Sequence, residues 1–219
     1  AAVWVILRKA PPLPFLPEDV HGVGVVIVVA FYAGDVEAGE EVLAPVREYG
    51  DPIADAVAPH RYAEFQQSFD PLLTEGARNY WKSHNFDELS DEAIDTAVEF
   101  AADLPSSLSE IFFGQVGGAM ARVPADATAY PHRDAEYVMN VHTRWEDPED
   151  DERCIAWARE FFDAMALYAS GGIYVNFISE RDGEENLAYG DNYDRLVEIK
   201  NEYDPTNLFH VNQNVEPTA

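Results

Sequence analysis

The run Glu136-Tyr137-Val138-Met139-Asn140-Val141-His142-Thr143-Arg144-Trp145 decides the fold. The alternation of a strand puts Tyr137, Met139, Val141, Thr143 and Trp145 on one face and Val138, Asn140, His142 and Arg144 on the other. One side is made for packing. The other carries amide, imidazole and guanidinium. A second strand-like run covers 107–115, and Gly117-Gly118 and a loop with Pro124 and Pro131 lie between the two. Strands joined without a helix pair antiparallel, so the class is α+β with a largely antiparallel sheet, not a doubly wound parallel one.

Further strand-like runs fall at 3–8, 23–32, 53–58, 78–85 and 173–178, giving an expected sheet of about seven strands. Helical periodicity falls at 36–48, 61–68, 90–103, 148–166 and 190–202. Asp35 and Ser90 stand where N-caps belong, and Asp147-Pro148-Glu149-Asp150 opens the fourth helix with proline first and acids following. Gly50 and Gly171-Gly172 are the matching stops. With helices expected on one face, the opposite face needs a partner, a ligand or solvent.

The 219 residues hold 41 acidic and 14 basic side chains, a formal net charge of −27. The acids recur from Glu18 to Glu216, and the lysines are Lys9, Lys82 and Lys200 alone. Such a surface is expected in a protein adapted to high salt, as in haloarchaea, where screening removes self-repulsion. It disfavours nucleic acid and anionic membranes as partners. Cys154 is solitary, which excludes a disulfide within these residues and suits a packing role. No apolar run reaches membrane-spanning length and none reads as a signal peptide, so a cytoplasmic setting is expected. The chain opens without Met in the strand-like Ala2-Val3-Trp4-Val5-Ile6-Leu7, as a piece of a longer protein would.

Several chemistries lack their motifs. Gly22-Val23-Gly24 precedes a strand, whereas a dinucleotide loop follows one. There is no Gly-x-Ser-x-Gly elbow and no Cys/His zinc spacing, and the histidines are scattered. Two features remain. Read as a strand, Tyr174-Val175-Asn176 presents its phenol and amide on one side, the side expected to hold Asn140 and His142. The tail Tyr203-Asp204-Pro205-Thr206-Asn207-Leu208-Phe209-His210-Val211-Asn212-Gln213-Asn214 combines aromatic anchors with clustered amides. It is either a surface that docks on something polar and planar or a C-terminal turn closed by local Asx hydrogen bonds.

Together these segments resemble the C-terminal half of the berberine-bridge-enzyme-like FAD-linked oxidases, in the vanillyl-alcohol-oxidase superfamily. The resemblance rests on the tail at 203–214, on Tyr174-x-Asn176, and on His132-Arg133 ahead of the strand ending in Trp145. Gly117-Gly118-Ala119 and Arg78-Asn79-Tyr80-Trp81-Lys82-Ser83 occur in the family's order. It implies a substrate-binding α+β domain over 1–202 and a berberine-bridge-type tail over 203–219 that returns to an N-terminal FAD-binding domain absent from this sequence. That domain would be joined in cis or supplied as a separate chain. FAD is the implied cofactor, held mainly by that domain, and a small molecule is the implied substrate.

By the same resemblance Tyr174 is the tyrosine that abstracts a proton or orients substrate. Asn140 stands where relatives carry Glu, Gln, Asp or Tyr, and an amide is no useful proton acceptor. Asn176, Asn212 and Asn214 would face the cofactor. Trp81, Lys82 and His142 would line the substrate pocket. The implied reaction oxidises an alcohol, sugar or secondary-metabolite C–H bond, with hydride passing to flavin. The alternative is a non-catalytic binding domain that kept the fold without flavin.

Overall fold

The computed structural model describes residues 1–179 and 185–218. Five strands form one antiparallel sheet: β1 (Ala2–Lys9), β2 (Gly24–Phe31), β3 (Arg78–Phe86), β4 (Glu110–Gln115) and β5 (Tyr137–Trp145), in the order β2-β1-β4-β5-β3. The helices are α1 (Val36–Arg47), α2 (Tyr62–Gln67), α3 (Asp91–Ala102), α4 (Asp151–Met165), α5 (Glu185–Tyr189) and α6 (Tyr193–Tyr203). The α+β class therefore holds, and β4 joins its neighbour β5 through the glycine- and proline-bearing loop without a helix.

The local signals act as their chemistry dictates. The Asp35 carboxylate accepts from the Glu37 and Ala38 amides, and Ser90 Oγ accepts from Ala93 N, each closing orphan donors at a helix start. Gly50, Gly171 and Gly172 all take positive φ, Gly50 soon after α1 and the pair in the loop that follows α4.

The alternation in β5 resolves as read. Met139, Val141 and Trp145 are buried in a core with Leu7, Phe86, Ile111 and Phe113, against Ala93 and Ala97 of α3 and Cys154, Ala158, Phe161 and Met165 of α4. Full burial of each large apolar side chain stabilises by roughly 1.5–3 kcal/mol. Cys154 lies fully buried in this layer, and burial raises its thiol pKa, as a packing residue requires.

Two expectations need correction. The sheet has five strands, not seven, because 53–58 and 173–178 do not join it. The first stretch lies between Pro52 and Pro59 with Ile53 and Val57 exposed, so it has no apolar face to bury. In the second, Val175–Phe177 turns as a short 3₁₀ segment in which Phe177 N donates to Tyr174 O at 2.8 Å. The helices also do not keep to one face. Phe65 of α2 packs against Trp4 and Phe31, which point away from α3 and α4, at centroid distances of 6.3 and 5.0 Å. The far face is thus covered at its β1–β2 end. No helix among the described residues is long and apolar enough to cross a membrane.

Candidate functional site on the far face of the sheet

Strand register lays two rows of side chains across the face opposite α3 and α4. One row runs Trp81, His142, Glu110, Arg8, and the next runs Ser83, Asn140, Phe112, Ile6. In the first row the Trp81 and His142 rings stack at 5.0 Å with 34° between planes. His142 Nε2 lies 2.9 Å from Asn79 Oδ1, and its Nδ1 lies 3.5 Å from Glu110 Oε1. Arg8 donates to the other Glu110 oxygen at 2.7 Å. Four strands are thereby linked through one mostly buried polar chain, and deleting a member would strand its partners without hydrogen bonds.

The second row carries one of the unsatisfied groups. Asn140 is 7% exposed and, among the described residues, its Oδ1 has no hydrogen-bond partner; in the next row, both side-chain polar atoms of Asn85, paired in register with Val138, also lack one. A buried acceptor without a partner costs free energy, which marks a place where a ligand or water belongs.

Residues 170–179 run along the outer edge of β3. Tyr174 N donates to Ser83 Oγ at 2.9 Å, Trp81 N donates to Ser179 Oγ at 2.6 Å, and Ser170 N donates to Asn85 O at 2.9 Å. The edge strand's exposed groups are met by side chains and loop backbone rather than by another strand. The half-buried Tyr174 ring meets Tyr130 at 5.9 Å and Phe177 at 5.0 Å, both nearly perpendicular. Asn176 Nδ2 donates to the Tyr174 phenol oxygen at 3.0 Å.

The proposed site residues separate into groups. Asn140 and Tyr174 both border Ser83, and Trp81 and His142 occupy the adjacent row. Lys82 does not join them: period two turns it to the opposite face, where its Nζ lies 4.7 Å from the Phe162 ring centre of α4. Asn176 belongs to Tyr174 through the turn, not through strand alternation. Asn212 is exposed in the left-handed region at φ 61, and Asn214 N donates to Asn212 O at 2.9 Å.

The tail itself is fastened at three points. Lys200 Nζ donates to Asp204 and to Phe209 O, each at 2.5 Å, while the Asp204 carboxylate accepts from the Leu208 and Phe209 amides. The Lys200 hydrogen bond holds the Asp204 pKa below the usual carboxylate range. Gln213 donates to Ile178 O at 2.9 Å, and Asn201 and Thr218 exchange two hydrogen bonds. Leu208, Phe209 and Val211 nevertheless stay 71%, 75% and 75% exposed. The tail thus joins local turn hydrogen bonds to exposed apolar side chains.

Sequence reasoning passed over Tyr130, Glu110 and Arg8. Burial raises the Tyr130 pKa, opposed by Arg133. Its one sequence signal is its place just before Pro131-His132-Arg133. Glu110 and Arg8 had no local signal, because only register brings them to His142.

Residues 173–216, which hold Tyr174, Asn176 and most of the tail, match a known family. It is the berberine and berberine-like family. This berberine-like segment sits in a chain that is 26% identical over 214 residues to the uncharacterized FAD-linked oxidoreductase YgaK of Bacillus subtilis, covering 96% of this chain and 46% of that protein. In three dimensions it is similar to the BBE-like protein 28 of Arabidopsis thaliana, with a TM-score of 0.75 at 16% identity over all of this chain and 50% of that one. It is also similar to Phl p 4, described as a grass pollen allergen with glucose dehydrogenase activity, with a TM-score of 0.71 at 16% identity over 99% of this chain and 48% of that one. The chain spans about half the length of the relatives it matches. The likeness carries the fold of the far face together with the berberine-like segment.

Proposed function

We propose that this chain is the substrate-facing half of an FAD-dependent oxidoreductase, with the berberine-like tail closing on a flavin-binding domain. The observation that carries this reading is the Tyr174 phenol, clamped between two rings and hydrogen-bonded by Asn176, next to a buried row with an unpartnered Asn140 oxygen. The residues fit a planar, hydrogen-bonding group laid against this face: Asn176, Asn212 and Asn214 would hold its edge, and the phosphate-binding parts would come from the missing half. When bound, FAD supplies the hydride acceptor for a substrate C–H bond adjacent to oxygen or nitrogen.

The chain's own residues do the rest. Asn176 donates to the phenol oxygen, which keeps a further lone pair to meet the proton of a substrate hydroxyl or amine. Deprotonation of that substrate group falls to Tyr174 acting as its phenolate, which becomes the phenol, since the Asn140 amide cannot take a proton. Asn140 Oδ1 can accept a hydrogen bond from the substrate and orient it. Trp81 and His142 offer a flat wall one row away. Substrates are alcohols, sugars or hydroxylated secondary metabolites, whose hydroxyls both donate and accept.

The decisive experiment is an anaerobic absorbance spectrum of the intact protein with a panel of such substrates. Bleaching of the flavin bands supports the reading, and an unbleached, flavin-loaded protein across alcohols, sugars and amines overturns it. Residues 1–219 alone should purify without stoichiometric FAD; a yellow one-to-one complex would show that the missing half is not needed. A second reading, a binding domain that works without flavin, is favoured by the Asn140 amide at the expected base position. It requires that the gene encode no flavin half upstream or nearby.

A further inference from the structure

We infer that Tyr130, His132 and Arg133 form a two-armed brace that positions the Tyr174 ring, with Tyr130 as the member that touches it. This rests on the reading of Tyr174 as the group that meets substrate.

The first arm is Arg133. Its guanidinium faces neither polar row of the sheet. It donates from Nε to Tyr130 O at 3.1 Å, from one terminal nitrogen to Thr128 Oγ1 at 2.6 Å and from the other to Met120 O at 3.4 Å. The same group lies 4.9 Å from the Tyr130 ring centre. Backbone and ring of Tyr130 are therefore both gripped by one rigid planar fork, a geometry lysine cannot reproduce. Tyr130 then meets Tyr174 at 84° between ring planes, and Phe177 closes the other side at 75°. Two edge-on contacts of this kind select one ring tilt.

The second arm is His132. Its Nε2 lies 2.9 Å from Leu187 O, tying the loop to α5. Its ring occupies the space beside Gly172 so closely that a β-carbon there would sit 2.2 Å from a ring atom, and Gly172 has φ +74. His132 thus packs flat on the backbone two residues ahead of Tyr174 and sets how the chain enters it. His132 also meets Tyr130 edge-on at 5.8 Å, so the arms share a joint. The outcome is a ring held from the side by Tyr130 and a backbone held from behind by His132. Precision of this kind matters where reacting groups must meet: misplacement by about 1 Å can cost roughly a hundredfold in rate.

The test places 3-fluorotyrosine at position 174 of the intact protein and reads its fluorine resonance alongside turnover. In the wild type and in Tyr130→Phe the resonance stays displaced from that of free fluorotyrosine, because the bracing ring is kept. In Tyr130→Ala and Arg133→Lys it moves toward the free value, at temperatures where circular dichroism shows the fold intact. In the same two variants kcat falls by up to about a hundredfold while KM moves less, and Tyr130→Phe restores it. A wild-type fluorine shift in both Tyr130→Ala and Arg133→Lys overturns the brace. If the shift moves but neither Tyr174→Phe nor the brace variants change turnover, the brace stands and the functional reading of Tyr174 fails.

Discussion

The Asn176 side-chain nitrogen donates to the Tyr174 phenol oxygen at 3.0 Å across a single turn of 3₁₀ helix. The pair is local in sequence and rigid in space, since Tyr174 N is held by Ser83 Oγ. With Asn176 donating to one lone pair of the oxygen, another stays free to meet the proton of a substrate. Tyr174→Phe in the intact flavoprotein should lower the anaerobic flavin-reduction rate by about 10²–10⁴-fold, with a much smaller change in substrate affinity. Stopped-flow absorbance measures both. An unchanged reduction rate removes Tyr174 from the mechanism.

The Asp204 carboxylate organises the tail tip by accepting from two successive amides while Lys200 secures it. Asp204→Ala should speed hydrogen exchange at the Leu208 and Phe209 amides by roughly tenfold or more, with α6 protection little changed. If Leu208 and Phe209 exchange at the wild-type rate, the carboxylate is not what shapes the tip.

His84 gives the fold a pH dependence. Its ring stacks on Phe162 at 3.9 Å with 10° between planes, and its Nε2 lies 2.9 Å from Phe162 O. Burial lowers its pKa from 6.5, so the unfolded chain binds its proton more readily than the folded one. Stability from this site is therefore complete above the unfolded value of 6.5 and is lost as pH falls through the lower folded value. Denaturant titrations from pH 8 to 5 should show a decline below about pH 6.5 that is reduced in His84→Gln. A slope unaltered by the substitution assigns the decline to other groups.

Surface charge makes a separate prediction. Lys82 is buried, and Lys200 is tied to Asp204 and to Phe209 O. Of the basic side chains, Arg8 and Arg144 are buried too, so the net charge of −27 is concentrated on an acidic exterior. We propose that the protein is adapted to high salt. At molar salt the screening length falls to about 3 Å, which removes repulsion between all but touching charges. Tm should rise by at least about 4 °C between low salt and 2 M KCl. Equal melting temperatures in the two conditions would count against this adaptation.

The elements written in short-range chemistry were legible. The β5 alternation, the Asp35 and Ser90 caps and the glycine stops each act within a few residues, and each took the predicted form. The strand reading of 173–178 failed because alternation of apolar and polar residues is only a necessary condition. A strand also needs a neighbour to bond, and Gly171-Gly172 instead set the chain along the β3 edge, where Ser83 Oγ accepts from Tyr174 N and Ser179 Oγ accepts from Trp81 N. Trp81 and His142 meet on one face and Lys82 turns to the other, because alternate residues of a strand point to opposite faces.

By itself, the sequence determined the α+β class, the approximate limits of every described helix but α5, the acidic exterior and the chemical types available: a phenol, clustered amides and an imidazole. Those follow from periodicity, capping and composition, which are properties of neighbouring residues. Only the tertiary structure decided which of these groups meet. Register across three strands put His142 between Trp81 and Glu110, a loop crossing set Tyr174 over Ser83, and Tyr130 reached Tyr174 from 44 positions away. Such contacts depend on how separate segments share one packed interior, and no local pattern encodes that.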